Sequence, residues 1–356
     1  MRRRHLLNVA LVVAGIGLIA WMLWAVGWQA IEANLAEIGI GWFVALVVLD
    51  LFALLAFMAG WWVLIDPQLR QSHFMSLFGV FLAGDSVNYL IPSGNLAGEP
   101  VRAHLSRDTL GLSHAVATVT VHKHAKLLAQ WLFLVVGLIV SLWQFDLSTP
   151  VMLAAAAFLG GLGGGLLLMA FALRRGTFGP ILNRLARWRP LASHLKSYQP
   201  AAEALDADIQ TFYSRKQGRW FAAAIGWCLI GWCGLLVETY LILRLLSPTA
   251  GWTTAVAVET LALILNSLLL FPPGRIGSAE GVRVGVFVLL GLPAAQGVAY
   301  GLVRRGRELV WTLPGVVVLL KQYGARLGRP RLSERPGARL LHEGESPAPK
   351  ITADHG

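Results

Sequence analysis

Residues 268–285, LLLFPPGRIGSAEGVRVG, decide how this chain folds. An apolar run from Leu261 to Phe271 leads into them and another, from Val284 to Leu292, leads out. Neither run suffices alone, because a helix needs about 20 apolar residues to cross the bilayer core. Between them stand Pro272, Pro273 and Gly274, followed by Arg275, Glu280 and Arg283. Non-helical backbone survives at membrane depth only where protein or a water-filled cavity satisfies its polar groups. The stretch therefore reads as the tip of a hairpin that enters the membrane and turns back, with its charges facing a polar interior.

The rest of the chain fits that setting. Of 356 residues, 56% are hydrophobic and 14% charged, where soluble domains carry about a quarter charged residues. Six windows are long enough to span or nearly so: Leu6–Trp28, Ile40–Ile65, Leu127–Phe145, Val151–Leu173, Trp220–Leu246 and Ala295–Leu320. The first follows Arg2-Arg3-Arg4 but is too long for a signal-peptide core and has no small-residue cleavage site, so it reads as a retained span. Cys228 and Cys233 fit neither a zinc spacing nor a disulfide. The net charge of +11 has a topological cause. Nine basic residues face three acids in the loop 174–219 and seven face four in the tail from Lys321, while connections 29–38, 146–150 and 247–252 hold no Lys or Arg. This positive-inside pattern places both termini and the basic loop in the cytoplasm and removes the need for a nucleic-acid partner.

A second stretch resembles the first. IPSGNLAGEPVR (91–102) aligns with FPPGRIGSAEGVR (271–283), matching Pro92 to Pro272 and Gly94 to Gly274. With one inserted residue, Glu99 matches Glu280 and Arg102 matches Arg283. The approaches to both breaks carry polar residues, Asp85 and Asn88 in one, Glu259 and Asn266 in the other. Three spans separate the hairpins, an odd number that inverts one half relative to the other, as in many secondary transporters. The expected fold is an all-α polytopic membrane protein built from inverted repeats. It has about six full spans plus two re-entrant helical hairpins, eight hydrophobic segments in all. Residues 1–320 form the membrane domain, with a first repeat at about 39–148, a second at about 219–320, and a disordered cytoplasmic tail at 321–356.

An Arg at the bilayer centre costs about 2.5–3.5 kcal/mol on insertion scales. Arg283, Arg304, Arg305 and Arg307 must then face a cavity, pair with acids or snorkel. Tyr300, Arg304, Arg307, Glu308 and Trp311 share one helical face. The matching helix of the first half carries His122, Lys123, His124 and Lys126, and at an offset of 181 Lys123 and Lys126 fall on Arg304 and Arg307. The candidate substrate-binding set is Asp85, Asn88, Asn95, Glu99, Arg102, Lys123, Lys126, Glu259, Asn266, Arg275, Glu280, Arg283, Arg304, Arg307 and Glu308. A purely structural alternative pairs Glu99 with Arg102 and Glu280 with Arg283 at i, i+3. Asp50 and Glu238 read equally well as structural residues. No HExxH or Asp-rich motif calls for a metal, and no cofactor is expected. GGLGGG (160–165) lies inside a span, where Gly160/Gly164 and Gly161/Gly165 form small-residue pairs suited to close helix contact. The segment 179–195 mixes basic and apolar residues as an amphipathic helix on the inner leaflet does.

AGDSVNYLIPSGNLAGEPVRAHL, HAVATVTVHKHAKLLAQ and FPPGRIGSAEGVRVGVFVLLGLP together resemble the flippase-like transmembrane domain of the lysylphosphatidylglycerol synthase/flippase family. The likeness covers most of 1–320, with Gly98-Glu99-Pro100-Val101-Arg102 its most specific element. Arg275 stands where the family's second motif has glycine, a departure that bears on substrate preference. The resemblance implies a stand-alone lipid-translocation module without the aminoacyl-transferase domain of the bifunctional members. Its substrate would be a membrane lipid with an anionic or zwitterionic head group, and its location the bacterial cytoplasmic membrane. The arginines would take the head group while Glu99 and Glu280 hold them when empty, and the halves would rock in alternating access. The alternatives are a membrane enzyme that transfers a group to a lipid, with Glu99 or Glu280 as general base, and a non-catalytic partner of a lipid-synthesis enzyme.

Overall fold

The computed structural model describes residues 28–70, 73–91, 95–187, 199–214, 218–268 and 278–327. The span at Leu6–Trp28, both Pro-containing tips (92–94 and 272–274), Arg275 and the tail beyond Leu327 lie outside these residues, Trp28 apart. The described residues form twelve helices: α1 (Trp28–Trp62), α2 (Pro67–Arg70), α3 (Phe74–Leu90), α4 (Gly98–Leu110), α5 (Leu112–Gln144), α6 (Thr149–Arg175), α7 (Phe178–Leu185), α8 (Gln199–Phe212), α9 (Gly218–Leu246), α10 (Trp252–Leu268), α11 (Ser278–Leu289) and α12 (Ala294–Leu327).

Four of them are long and apolar enough to cross a membrane: α1 from Ile38 onwards, α5, α6 and α9. Gly39, at φ 63°, kinks α1 at the start of that portion. Each hydrophobic approach to a break is instead a 17-residue helix, α3 or α10. At 1.5 Å per residue these reach about 26 Å, short of the bilayer core. A helix of 13 residues (α4) follows α3 and one of 12 (α11) follows α10. Long helices of 33 and 34 residues, α5 and α12, come next. Gly111 and Gly291, at φ 76° and 73°, make the two turns into those long helices. The order long, short, short, long thus occurs twice: α1–α3–α4–α5, with the one-turn α2 intervening, and α9–α10–α11–α12.

Two apolar cores follow the same division. One gathers Val258, Val286, Phe287, Tyr300 and Val303 from α10, α11 and α12. The other gathers Met58, Trp61, Leu77, Phe81 and Val119 from α1, α3 and α5. The halves interlock, because α9 lies along α1 and α3 lies along α12. Small residues permit both contacts. A Cβ on Gly231 would lie 2.8 Å from the Phe57 ring. One on Gly315 would lie 2.1 Å from Ser86 Oγ and 2.4 Å from the Leu82 carbonyl. Ser86 Oγ donates to the carbonyls of Leu82 and Thr312, both at 2.9 Å.

The glycine run of α6 packs differently from the sequence expectation. Gly160, Gly161, Gly164 and Gly165 meet nothing within 4 Å among the described residues, whereas Gly163 approaches the Trp131 indole. Trp131 Nε1 donates to the Leu159 carbonyl at 2.9 Å, which anchors α6 on α5. The amphipathic segment forms α7 as far as Leu185, and residues 188–198 are outside the description. Asp206 of α8 holds the start of α7 by accepting the amide N–H groups of Thr177, Phe178 and Gly179 at 2.7–3.1 Å. These are orphan donors of a helix N-terminus, met here by a carboxylate.

Candidate functional site

The first-half cluster forms where α3 and α4 close on each other. A Cβ on Gly98 would stand 2.0 Å from the Gly84 carbonyl, so only glycine allows this crossing. Asn88 reinforces it: its Oδ1 accepts the Gly98 N–H at 2.7 Å and its Nδ2 donates to Glu99 at 3.2 Å. One helical turn later Arg102, 2% exposed, points into the bundle. Its guanidinium lies 4.4 Å from the Phe81 ring centroid and 5.5 Å from that of Trp61. Arginine is suited to such flat apolar contacts. It reaches Asp85 at 3.4 Å and His122 Nδ1 at 3.3 Å. His122 Nε2 sits 3.0 Å from the Phe57 carbonyl. A carbonyl can only accept, so Nε2 carries the hydrogen and Nδ1 is left to accept from Arg102.

Lys123, on the next position of α5, binds Glu99 at 2.9 Å and donates to the carbonyl of Asn95 at 2.5 Å. Asn95 adopts φ 63°, a left-handed conformation that asparagine tolerates, and this turns its carbonyl to the lysine. Lys126 lies one turn further on, its ammonium 4.2 Å from the Phe57 ring centroid. Among the described residues it has no carboxylate partner. The cluster therefore holds three cations, Arg102, Lys123 and Lys126, against two carboxylates, Asp85 and Glu99. It is partly open: Asp85 keeps 30% of its side chain exposed and Glu99 15%.

The second-half cluster forms around α12. Arg304 binds Glu259 of α10, which also accepts from Thr239 Oγ1 at 2.6 Å and from the Tyr300 hydroxyl at 3.2 Å. Arg307 binds Asp50 of α1 at 2.6 Å and Glu238 of α9 at 2.9 Å. Arg283 of α11 binds Glu308 at 3.1 Å, and Arg305 lies 3.6 Å from Glu280. Five carboxylates thus face four arginines. Asp50, Glu238, Glu259, Arg304 and Arg307 are all buried. Arg305 also sits 5.0 Å from the ring centroid of Tyr89 on α3, which joins the two clusters.

These contacts bring together most residues singled out by the sequence, in combinations the sequence did not give. The i, i+3 pairs are not the salt bridges formed. Arg102 turns to Asp85 and Glu99 to Lys123; Arg283 turns to Glu308 and Glu280 to Arg305. Asn266 donates to its own helix, at the Ala262 carbonyl, and does not enter the network. Asp50 and Glu238, left open as structural residues, are central to it. Their signal was present in the sequence as lone acids inside spans of 20 or more residues. His122 and Thr239 carried no such signal. His124 lies apart, 2.5 Å from the Tyr213 hydroxyl beneath Phe221. Among the described residues no group of three or more His, Cys, Asp or Glu side chains is arranged to hold a metal ion.

Apolar helices of membrane-crossing length around buried, paired charges define a polytopic helical membrane protein. More particularly, the family model described as the lysylphosphatidylglycerol synthase TM region matches residues 6–315, and the chain belongs to that family. No curated protein and no solved structure matches it.

Proposed function

We propose that this protein moves a polar-headed lipid between the leaflets of a membrane by alternating access, with a phosphate or other anionic head group received at the first-half cluster. The observation that carries this reading is the uncompensated cation there. Lys126 has no carboxylate partner among the described residues, Lys123 lies one turn before it on α5, and Arg102 of α4 meets His122 on that same turn. Charge inside a membrane domain is costly to keep, so an unbalanced cation in a partly open cleft calls for an anion. A phosphate monoanion restores neutrality and accepts from both lysines and the guanidinium. Acyl chains remain in the surrounding lipid, so the cleft needs to admit only the head group.

Glu99 holds Lys123 and Asp85 holds Arg102, and in this reading both carboxylates yield to the anion. The second cluster is the closed counterpart, where Arg283 and Arg305 are held by Glu308 and Glu280. The repeated element order supports a symmetric pair of access states, with the halves inverted across the membrane. The family match, which names the membrane region of a lipid-modifying synthase, supports a lipid as cargo.

Reconstitution into proteoliposomes with fluorescent phosphatidylglycerol, read by external quenching, tests this. The wild type is expected to equilibrate the probe between leaflets, and Lys126→Ala and Arg283→Ala to abolish the movement. Unchanged movement in both variants, or none in the wild type, overturns the proposal. A wild type that moves no lipid but modifies one, or co-purifies with a synthase, would point to the enzyme or partner reading instead.

A further inference from the structure

The second-half cluster contains a carboxylate that its arginines do not cover. Asp50, Glu238 and Glu259 converge on Arg304 and Arg307, three acids on two guanidiniums, and none of the five side chains is more than 8% exposed. Glu259 takes the best of Arg304, with the Thr239 and Tyr300 hydroxyls added. Asp50 takes a terminal nitrogen of Arg307 at 2.6 Å. Glu238 is left with the Nε edge of Arg307 at 2.9 Å and a distant 3.9 Å approach to Arg304. Neither of its oxygens accepts an aligned hydrogen bond among the described residues. Isolated negative charge in a dry interior costs several kcal/mol or more, and such a group sheds its charge instead.

Among the described residues, nothing else near Glu238 supplies the missing positive charge. From α1 it faces Asp50, from α10 Glu259, and from α12 Arg304 and Arg307, with Glu308 next along and already held by Arg283. Helices α5 and α8 meet α9 nearer its start, where His122 and Lys126 lie beside Cys228 and Trp232, while Asp206 is spent on α7 and Asp208 on Ser113. On α9 itself Tyr240 stacks on Trp252 and Arg244 binds the Pro248 carbonyl. The three carboxylates are not arranged as ligands of a single ion.

We infer that Glu238 is a proton-binding site at the heart of the bundle, carrying the proton that balances this cluster in the conformation described here. The proton comes from hydronium in water that reaches the cluster when the bundle opens. One O–H bond of hydronium breaks as the O–H bond at Glu238 forms, leaving water, and release of the proton to water reverses the step. As a coupling ion this proton rests on the transport reading; as a site it does not.

Infrared spectra of the full-length protein in phosphatidylglycerol–phosphatidylethanolamine vesicles at neutral pH test it directly. Exposed carboxyls are ionised there, so a carboxylic-acid C=O band that shifts in D2O reports a buried protonated acid. The band is expected in the wild type and lost in Glu238→Gln. A wild type without the band, or a variant that keeps all of it, overturns the inference. Thermal unfolding in detergent gives a second reading, since glutamine mimics a protonated glutamate. Glu238→Gln is expected to melt with the wild type while Glu259→Gln melts several degrees lower; equal losses overturn the inference. A protein that shows the band but moves no lipid keeps the proton site and loses only the transport reading.

Discussion

The two halves of this chain use the same order of helices to build two charge clusters with opposite electrostatic faults. The first half closes α3 on α4 around three cations and two carboxylates and leaves the cluster partly open. The second surrounds four arginines with five carboxylates, and its central pairs are sealed. Summed over both clusters the count is neutral, because Asp50, on α1 of the first half, sits in the second cluster, while each cluster retains a demand of its own. One cluster is short of an anion and the other of a proton. A repeat that merely propped up the fold would be expected to neutralise each cluster locally.

The largest expected effect comes from breaking the sealed cluster. Arg307→Met should strand Asp50, its partner at 2.6 Å, as a buried anion, and removing one member of a buried ion pair costs about 3–5 kcal/mol. The measure is the melting temperature of the detergent-purified protein, and a variant as stable as wild type would show that these charges are not buried together. Next comes the open half's closure. Gly98→Ala forces a methyl into the Gly84 carbonyl and should cost about 1–3 kcal/mol as an overpacked site. Gly164→Ala, which meets nothing among the described residues, should leave the melting temperature within error. If both alanines behave alike, the crossing of α3 and α4 is not tight.

A smaller loss is expected outside both clusters. Asp206→Ala removes the acceptor of three amide groups at the start of α7 and should cost about 1 kcal/mol, as lost helix caps do. Amide hydrogen exchange at Phe178 and Gly179 should rise with it. The smallest structural effect sharpens the comparison most. Lys126→Met should leave stability nearly unchanged, because the ammonium holds no carboxylate among the described residues, yet it should abolish capture of anionic lipid by the purified protein. Native mass spectrometry with phosphatidylglycerol reads that loss, and a marked drop in stability without it would make Lys126 a structural cation.

Sequence reading went far with the charges and less far with their partners. Arg283, Arg304, Glu259 and Glu280 stand out because the background is so apolar that every charged side chain must be accounted for. Partners depend on how each helix is rotated about its axis, and a 13-residue helix such as α4 carries too little pattern to fix that. Glu99 and Arg102 are three apart in sequence and still turn to different helices, since Lys123 and Asp85 offer shorter reach in a packed bundle. The same limit applies to glycine. In GGLGGG the spacing favoured the paired positions, but which glycine meets a neighbour is set by the bulk of Trp131, and that selects Gly163. Asp50 and Glu238 were visible as intramembrane acids but lacked a local partner in sequence, and only the convergence of α1, α9 and α12 supplies one.

The hydroxyl of Ser86, seated against the Thr312 carbonyl where Gly315 has no side chain, carries a mechanical consequence. It rivets a helix of the first half to the long helix of the second. Pulling them apart strips Thr312 of a donor and opens a gap lined by backbone. The boundary drawn by the sequence repeat is therefore not a boundary in the packing. In the transport reading proposed above, helices α3 and α12 would travel as one strut, and the give would fall to joints such as the glycine turns at Gly111 and Gly291.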